Sequence, residues 1–182
     1  MILQIFDFDD TLFRIPAHTT APKTFDLSGN VHKWYDHPES LDDSKYVVQC
    51  IETVAQQARN SEKDEFINIL ITRRIPELAG EVIRLLKKHN IHLDKHYVIG
   101  HNTNKPDVLA EVLARDFNEH DFDTIAIFED CLYQIMGYQA FFKALHYPKT
   151  IDVRYYFVDK THLIELHDFN AEVVAKLKLS NP

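Results

Sequence analysis

The sequence predicts a three-layer α/β fold built on a parallel sheet, and two observations carry that prediction. Short, almost continuous apolar runs at 3–7, 66–71, 96–99 and 124–128 read as strands buried on both faces. Between them lie segments whose apolar residues recur at helical spacing, and that alternation calls for helices on both faces of the sheet, a Rossmann-like arrangement.

The first strand runs from about Leu3 to Asp7. Residues 14–40 follow, rich in Pro, His, Thr and Asp, with Gly29 and the aromatic pair Trp34 and Tyr35, and they sustain no period. They read as a long flap. Ser40-Leu41-Asp42-Asp43 has the spacing of a capping box, and Val47, Cys50, Ile51, Val54 and Ala58 then suggest a helix from about 42 to 59. The strand 66–71 ends at Thr72-Arg73-Arg74. Pro76 suits the first turn of a helix carrying Leu78, Val82, Leu85 and Leu86 on one face. After the strand at 96–99, a helix from about 105 to 117 presents Leu109, Val112, Leu113 and Phe117, and the strand at 124–128 ends at Glu129-Asp130. Beyond residue 150, Val153 to Val158 and His162 to Leu166 read as strands around Asp159-Lys160, with a short helix from about 169 to 179. This C-terminal β-hairpin and helix extend the sheet edge or form a small appendage.

The 182 residues are most simply one domain, 1–182, long enough to bury a core. No apolar run approaches the length of a membrane span, so no membrane partner is expected. Two cysteines, Cys50 and Cys131, make no disulfide framework, and a reducing, cytoplasmic compartment is the default. A formal charge of -8 argues against a broad electropositive face for duplex nucleic acid, while leaving room for one basic groove. Nothing indicates an oligomeric state.

The most informative segment is Phe6-Asp7-Phe8-Asp9-Asp10-Thr11. Three acids within four positions at the end of an apolar run repel one another and are costly to desolvate unless a cation compensates. A hard divalent ion such as magnesium (Mg2+) takes oxygen ligands of this kind together with substrate phosphate. Strand alternation sends Asp7 and Asp9 to one face, with Phe6 and Phe8 on the other. The plain alternative is an acidic turn that caps a following helix. Asp7, Thr72 and Asp130 all fall at the carboxyl ends of strands, where ligands of open α/β sheets sit.

Four motifs in order resemble the haloacid dehalogenase (HAD) superfamily of phosphotransferases: Asp7-Phe8-Asp9-Asp10-Thr11, Thr72 after its strand, Lys105 at a helix start, and Glu129-Asp130 after Ile125-Ala126-Ile127-Phe128. They span residues 2–130. The resemblance implies a magnesium-dependent phosphatase. Asp7 would be the nucleophile, forming an aspartyl-phosphate, and Asp9 would protonate the leaving group and then activate water. Thr72 and Lys105 would bind the phosphoryl group; Asp7, Asp130 and the main-chain carbonyl of Asp9 would hold the metal. Lys87, Lys88 and Lys95 compete for the lysine role, but a cation at a helix N-terminus is electrostatically disfavoured, which suggests a negative partner for Lys105. Glu129 reads as a neighbour of the metal ligands, and Cys131 as a packed thiol.

Within the superfamily, the chain looks like the HAD domains associated with Swiss Army Knife RNA repair proteins. The likeness lies in Phe6 to Phe13 with Pro16, Trp34-Tyr35 with Ser40-Leu41, Ile69 to Arg74, and Phe128-Glu129-Asp130. Arg73 stands where that family tends to have glycine, Cys131 where it has a basic residue, and Gln134 where it has histidine. About thirty residues separate Leu12 from the helix expected near 42, and one helix and one strand separate Thr72 from Lys105, so the fold is expected to be capless or minimally capped. An open site suits a phosphate on something large, such as a nucleic acid end, a phosphoprotein or a bulky nucleotide. Arg73 and Arg74 are expected at the rim as substrate contacts, with Trp34, Tyr35 or His32 stacking a base; equally, Trp34 and Tyr35 merely pack the flap. Two further readings stay open: a small-molecule or nucleotide phosphatase, and a HAD-fold binding or regulatory module with reduced catalysis.

Overall fold

A computed structural model describes residues 1–22, 32–60, 65–117, 121–144, 151–160 and 162–166. Six strands form one mostly parallel sheet: β1 (Ile2–Phe6), β4 (Phe66–Thr72), β5 (Lys95–Val98), β6 (Thr124–Glu129), β7 (Asp152–Asp159) and β8 (His162–Leu166), in the order β5-β4-β1-β6-β7-β8. Only β8 runs antiparallel, against β7. Two short strands, β2 (Phe13–Arg14) and β3 (Gln49–Cys50), pair apart from this sheet.

Five helices occur among the described residues: α1 (His32–Tyr35), α2 (Glu52–Asn60), α3 (Ala79–Lys88), α4 (Lys105–Asp116) and α5 (Leu132–Ala144). Strand alternation divides the core in two. Phe6, Leu70, Ala126 and Phe128 point to one side, where Val54, Ala55 and Ala58 of α2 and Val82, Leu85 and Leu86 of α3 bury them. Leu3, Ile5, Ile69, Ile71, Ile125 and Ile127 point to the other, beneath Leu109 and Val112 of α4 and Ile135, Tyr138 and Phe142 of α5. The fold is thus α/β with helices on both faces, as the alternating pattern predicts. Facing residues on neighbouring strands reinforce the sheet sideways: Phe6 stacks on Phe128 at 4.6 Å between ring centres, and Phe128 on Tyr156 at 4.8 Å.

The strand order carries the functional geometry. From β1 the chain builds outward through β4 and β5, then returns to the other side of β1 for β6, β7 and β8. The crevice beyond the carboxyl ends of β1 and β6 is therefore the switch point of the sheet, the usual ligand position in open α/β folds.

Several elements differ from expectation. The helix expected from about 42 to 59 begins only at Glu52. Ser40 does not cap it: the residue is fully buried in a 3-10 turn (Pro38–Leu41), its hydroxyl bonded to Arg74, and Val47 is 82% exposed. Helix α5 has no counterpart in the sequence reading. The pair β7 and β8 extends the sheet edge, β7 lying parallel beside β6. The helix expected from about 169 to 179 lies outside the described residues, as do Gly29 and the side chain of His32. No helix among the described residues is long and apolar enough to cross a membrane.

Phe128→Ala, at 2% exposure in the centre of the aromatic stack, is expected to cost about 3–5 kcal/mol in chemical denaturation. Tyr133→Ala, at 81% exposure, is expected to stay within about 0.5 kcal/mol of wild type.

Candidate metal and phosphate site

Asp7 leaves β1 at the switch point, its amide held by the Phe128 carbonyl at 3.1 Å. Glu129 ends β6 and Asp130 follows it. Carboxylate oxygens of Asp7, Glu129 and Asp130 all lie within 4.8 Å of one another. Between them enters Lys105, the first residue of α4, with Nζ 2.8 Å from Asp7 Oδ1 and 2.6 Å from Glu129 Oε2. The negative partner expected for a lysine at a helix start is therefore twofold. The competing lysines are engaged elsewhere or exposed: Lys95 pairs with Asp116, Lys88 pairs with Asp43, and Lys87 lies exposed in the last turn of α3.

Burial sets the protonation of this cluster. It pushes Asp7 well above the ordinary carboxylate range, Glu129 adding to the rise and Lys105 opposing it. Glu129 is pushed up to about 7 by burial, against the pull of Lys105 and with a further rise from Asp130. Asp130 is likewise raised to about 7, by burial, then by Asp7 and Asp10. Burial works against the Lys105 ammonium, but Asp7 and Glu129 outweigh it and hold the lysine above its usual range. Three acids thus face one fixed cation, and Glu129 Oε1 is buried without a hydrogen-bond partner. A set of only oxygen donors, with an excess of two negative charges once its three acids are ionised and an orphaned acceptor, fits a hard divalent ion. The cluster alone does not select which ion.

Asp9 behaves differently from the expectation that it shares a face with Asp7. β1 ends at Phe6, and residues 8–13 fold into a tight turn in which Leu12 and Phe13 amides both donate to the Phe8 carbonyl. Asp10 takes a left-handed conformation there (φ 51°), consistent with a turn-shaping role. Strand alternation therefore stops before Asp9, whose carboxylate turns to Arg74: Nε donates at 2.9 and 3.0 Å and Nη2 at 2.7 Å.

That engagement corrects the expected position of Arg74. It is not at the rim but 1% exposed, beneath the flap, where Nη1 donates to Ser40 Oγ at 2.7 Å and to the Tyr35 carbonyl. The Tyr35 ring lies 5.4 Å from its guanidinium carbon. Arg73, half-buried, donates from Nη2 to the His101 carbonyl, and its Nε is buried without a partner. Trp34 is fully buried, its indole N–H donating to the Pro16 carbonyl at 3.0 Å, so it packs the flap and offers no face to a base. Thr72 is fully buried at the end of β4; its hydroxyl accepts the Arg74 amide at 3.4 Å, leaving its own proton to donate.

The structure brings Asp7, Lys105 and Asp130 together with Glu129, which sequence reasoning had set one step further out. The signal for Glu129 was present in the two adjacent acids at a strand end opposite a lysine that needed a partner. No protein-family model, curated protein or solved structure matches the chain.

Two outcomes test this geometry. Because Glu129 and Asp130 hold protons to higher pH folded than unfolded, their contribution to stability is full in acid and is lost as pH rises toward about 7. Thermal melts in chelator should fall between about pH 5 and about pH 8, and millimolar magnesium should raise the melting temperature selectively at the higher pH. Arg74→Ala removes a buried partner from an Asp9 that is 28% exposed, and an expected loss of about 2–3 kcal/mol in denaturant midpoint analysis reflects that partial screening.

Proposed function

We propose that the protein is a magnesium-dependent phosphomonoester hydrolase of HAD type, working through an aspartyl-phosphate. The single observation that carries this reading is the buried Lys105 bridging Asp7 and Glu129 beside Asp130 in the β1/β6 crevice.

Asp7, Asp130 and Glu129 are the carboxylates that would hold magnesium, to which the resemblance adds the main-chain carbonyl of Asp9. The ion would offset negative charge on the phosphoryl oxygens. Lys105 occupies Asp7 Oδ1, which leaves Oδ2 as the attacking atom; its ammonium opposes the burial that raises this acid without overcoming it, and magnesium would supply the remaining pull toward the carboxylate. Oδ2 forms a bond to phosphorus as the ester P–O bond breaks, and the departing electron pair takes a proton from Asp9. Asp9 is then the carboxylate, still held by the Arg74 guanidinium. In that form it accepts a proton from the water that attacks phosphorus, and the P–O bond to Asp7 breaks to free inorganic phosphate. Thr72 and Lys105 are the phosphate donors in this scheme.

Between β4 and β6 the described residues add only a 3-10 turn, α3, β5 and α4, and the described flap residues are a short helix and two 3-10 turns. That economy supports an open, minimally capped site and a phosphate carried on a large molecule, with a nucleic acid end as the leading candidate.

A chromogenic phosphomonoester is expected to be hydrolysed only with magnesium. Asp7→Asn should lower kcat by about 10³-fold or more, and Asp9→Asn by about 10²–10⁴-fold. Turnover that survives Asp7→Asn, or no magnesium-dependent turnover on any phosphoester, would overturn the reading.

A further inference from the structure

With Arg74 buried and Arg73 tied to a backbone carbonyl, neither arginine of the second motif is free at a rim to meet a substrate. Two other cations are. A cleft of about 350 Å³ opens beside the carboxylate cluster, lined by Asp10, Arg14, Asp130, Phe157, Val158, Asp159 and Lys160. Its volume falls within the ~300–1,000 Å³ typical of ligand clefts. Asp130 belongs both to this cleft and to the metal-fitting cluster, so a molecule whose phosphate reached that cluster would extend its remaining atoms into the cleft. Phe157 and Val158 at the end of β7 are both buried, one in each half of the core, so this side of the cleft is firmly anchored. Arg14 and Lys160 make no close ion pair among the described residues, although Arg14 is near enough to Asp10 to act on its charge.

Lys160 is also placed against its local preference. It sits at the β7–β8 turn with φ 55°, a conformation that glycine, asparagine and aspartate adopt far more readily. A long cationic side chain kept at such a position, over a cleft, is the kind of local inconsistency that accompanies function.

Resting on the phosphatase reading, we infer that this cleft receives the leaving group of the substrate and that Arg14 and Lys160 bind a second phosphate carried on it. The ligand class is a phosphomonoester whose leaving group bears a further phosphate, as in a terminally phosphorylated nucleic acid strand or a nucleoside bisphosphate. Asp10, Asp130 and Asp159 line the same cleft, three carboxylates to two cations, so a phosphate is favoured there only where it sits directly against Arg14 and Lys160. The β7–β8 hairpin thereby gains a role: it supplies one wall and one cation of the substrate site.

The test compares two substrates and one non-turnover ligand. The ratio of kcat/KM for a short oligonucleotide with a terminal phosphate to that for a chromogenic monoester should fall about fivefold or more in Arg14→Gln/Lys160→Gln. Lys87→Gln, in the last turn of α3 at the opposite end of the sheet, should leave that ratio unchanged. In the Asp7→Asn background with magnesium, the Kd of a nucleoside bisphosphate by calorimetry should rise by a similar factor when Arg14 and Lys160 are replaced. An unchanged ratio and an unchanged Kd overturn the cleft assignment while Asp7-dependent turnover stands. Absence of turnover together with the expected rise in Kd overturns the phosphatase reading and upholds the cleft. A response from the oligonucleotide alone assigns the second phosphate to a nucleic acid strand, and an equal response from both ligands assigns it to the terminal nucleotide.

Discussion

A single ammonium group, that of Lys105, makes it possible for three carboxylates to meet in the crevice between β1 and β6. Two like charges about 4 Å apart repel by about 4 kcal/mol at an effective dielectric constant near 20. Three ionised acids this close would repel strongly, which is why burial and mutual repulsion raise their proton affinity. Lys105 offsets part of that repulsion with two short contacts, and it does so from the first residue of a helix, where the helix dipole opposes a cation. The topology serves that meeting. One acid comes from the end of the central strand, two from the end of its neighbour, and the lysine from the helix that leads into β6. Burial answers the rest by raising the proton affinity of the three acids, so any cation entering the crevice would compete with those protons.

Arg74 fixes a second relationship, between the turn after β1 and the flap. Its guanidinium serves the Asp9 carboxylate on one side and Ser40 and the Tyr35 carbonyl on the other. These partners are 65, 34 and 39 residues away in sequence, and they meet because β4 delivers Arg74 next to the end of β1. A planar fork of donors is suited to such multiple engagement in a way that a lysine is not. The orientation of Asp9 is consequently coupled to the placement of the flap. Anything that shifts residues 34–41 acts on the Asp9 carboxylate.

The strands were legible because central parallel strands, buried on both faces, leave apolar runs that need no long-range information to recognise. Asp7, Lys105 and Asp130 were legible because strand ends and a helix start are local features. Arg74 was not: its neighbours in sequence suggest an exposed rim, and its partners lie far along the chain. Ser40 looked like a helix cap for a related reason, since its hydroxyl is spent on Arg74, and Val47 fell at helical spacing without being buried. Helix α5 escaped notice because its apolar residues do not gather into one stripe. Ile135, Tyr138 and Phe142 face the core while Tyr133 and Met136 face solvent, which blurs the period on which such a reading depends.

Trp34 is the only tryptophan in the chain, and it is fully enclosed, edge-on to Tyr46 and hydrogen-bonded to the Pro16 carbonyl. The next residue, Tyr35, gives its carbonyl to Arg74 and through it touches the Asp9 carboxylate. The protein thus carries a built-in optical probe, one indole seated three links from the Asp9 carboxylate. Its emission can follow the flap in real time without any introduced label.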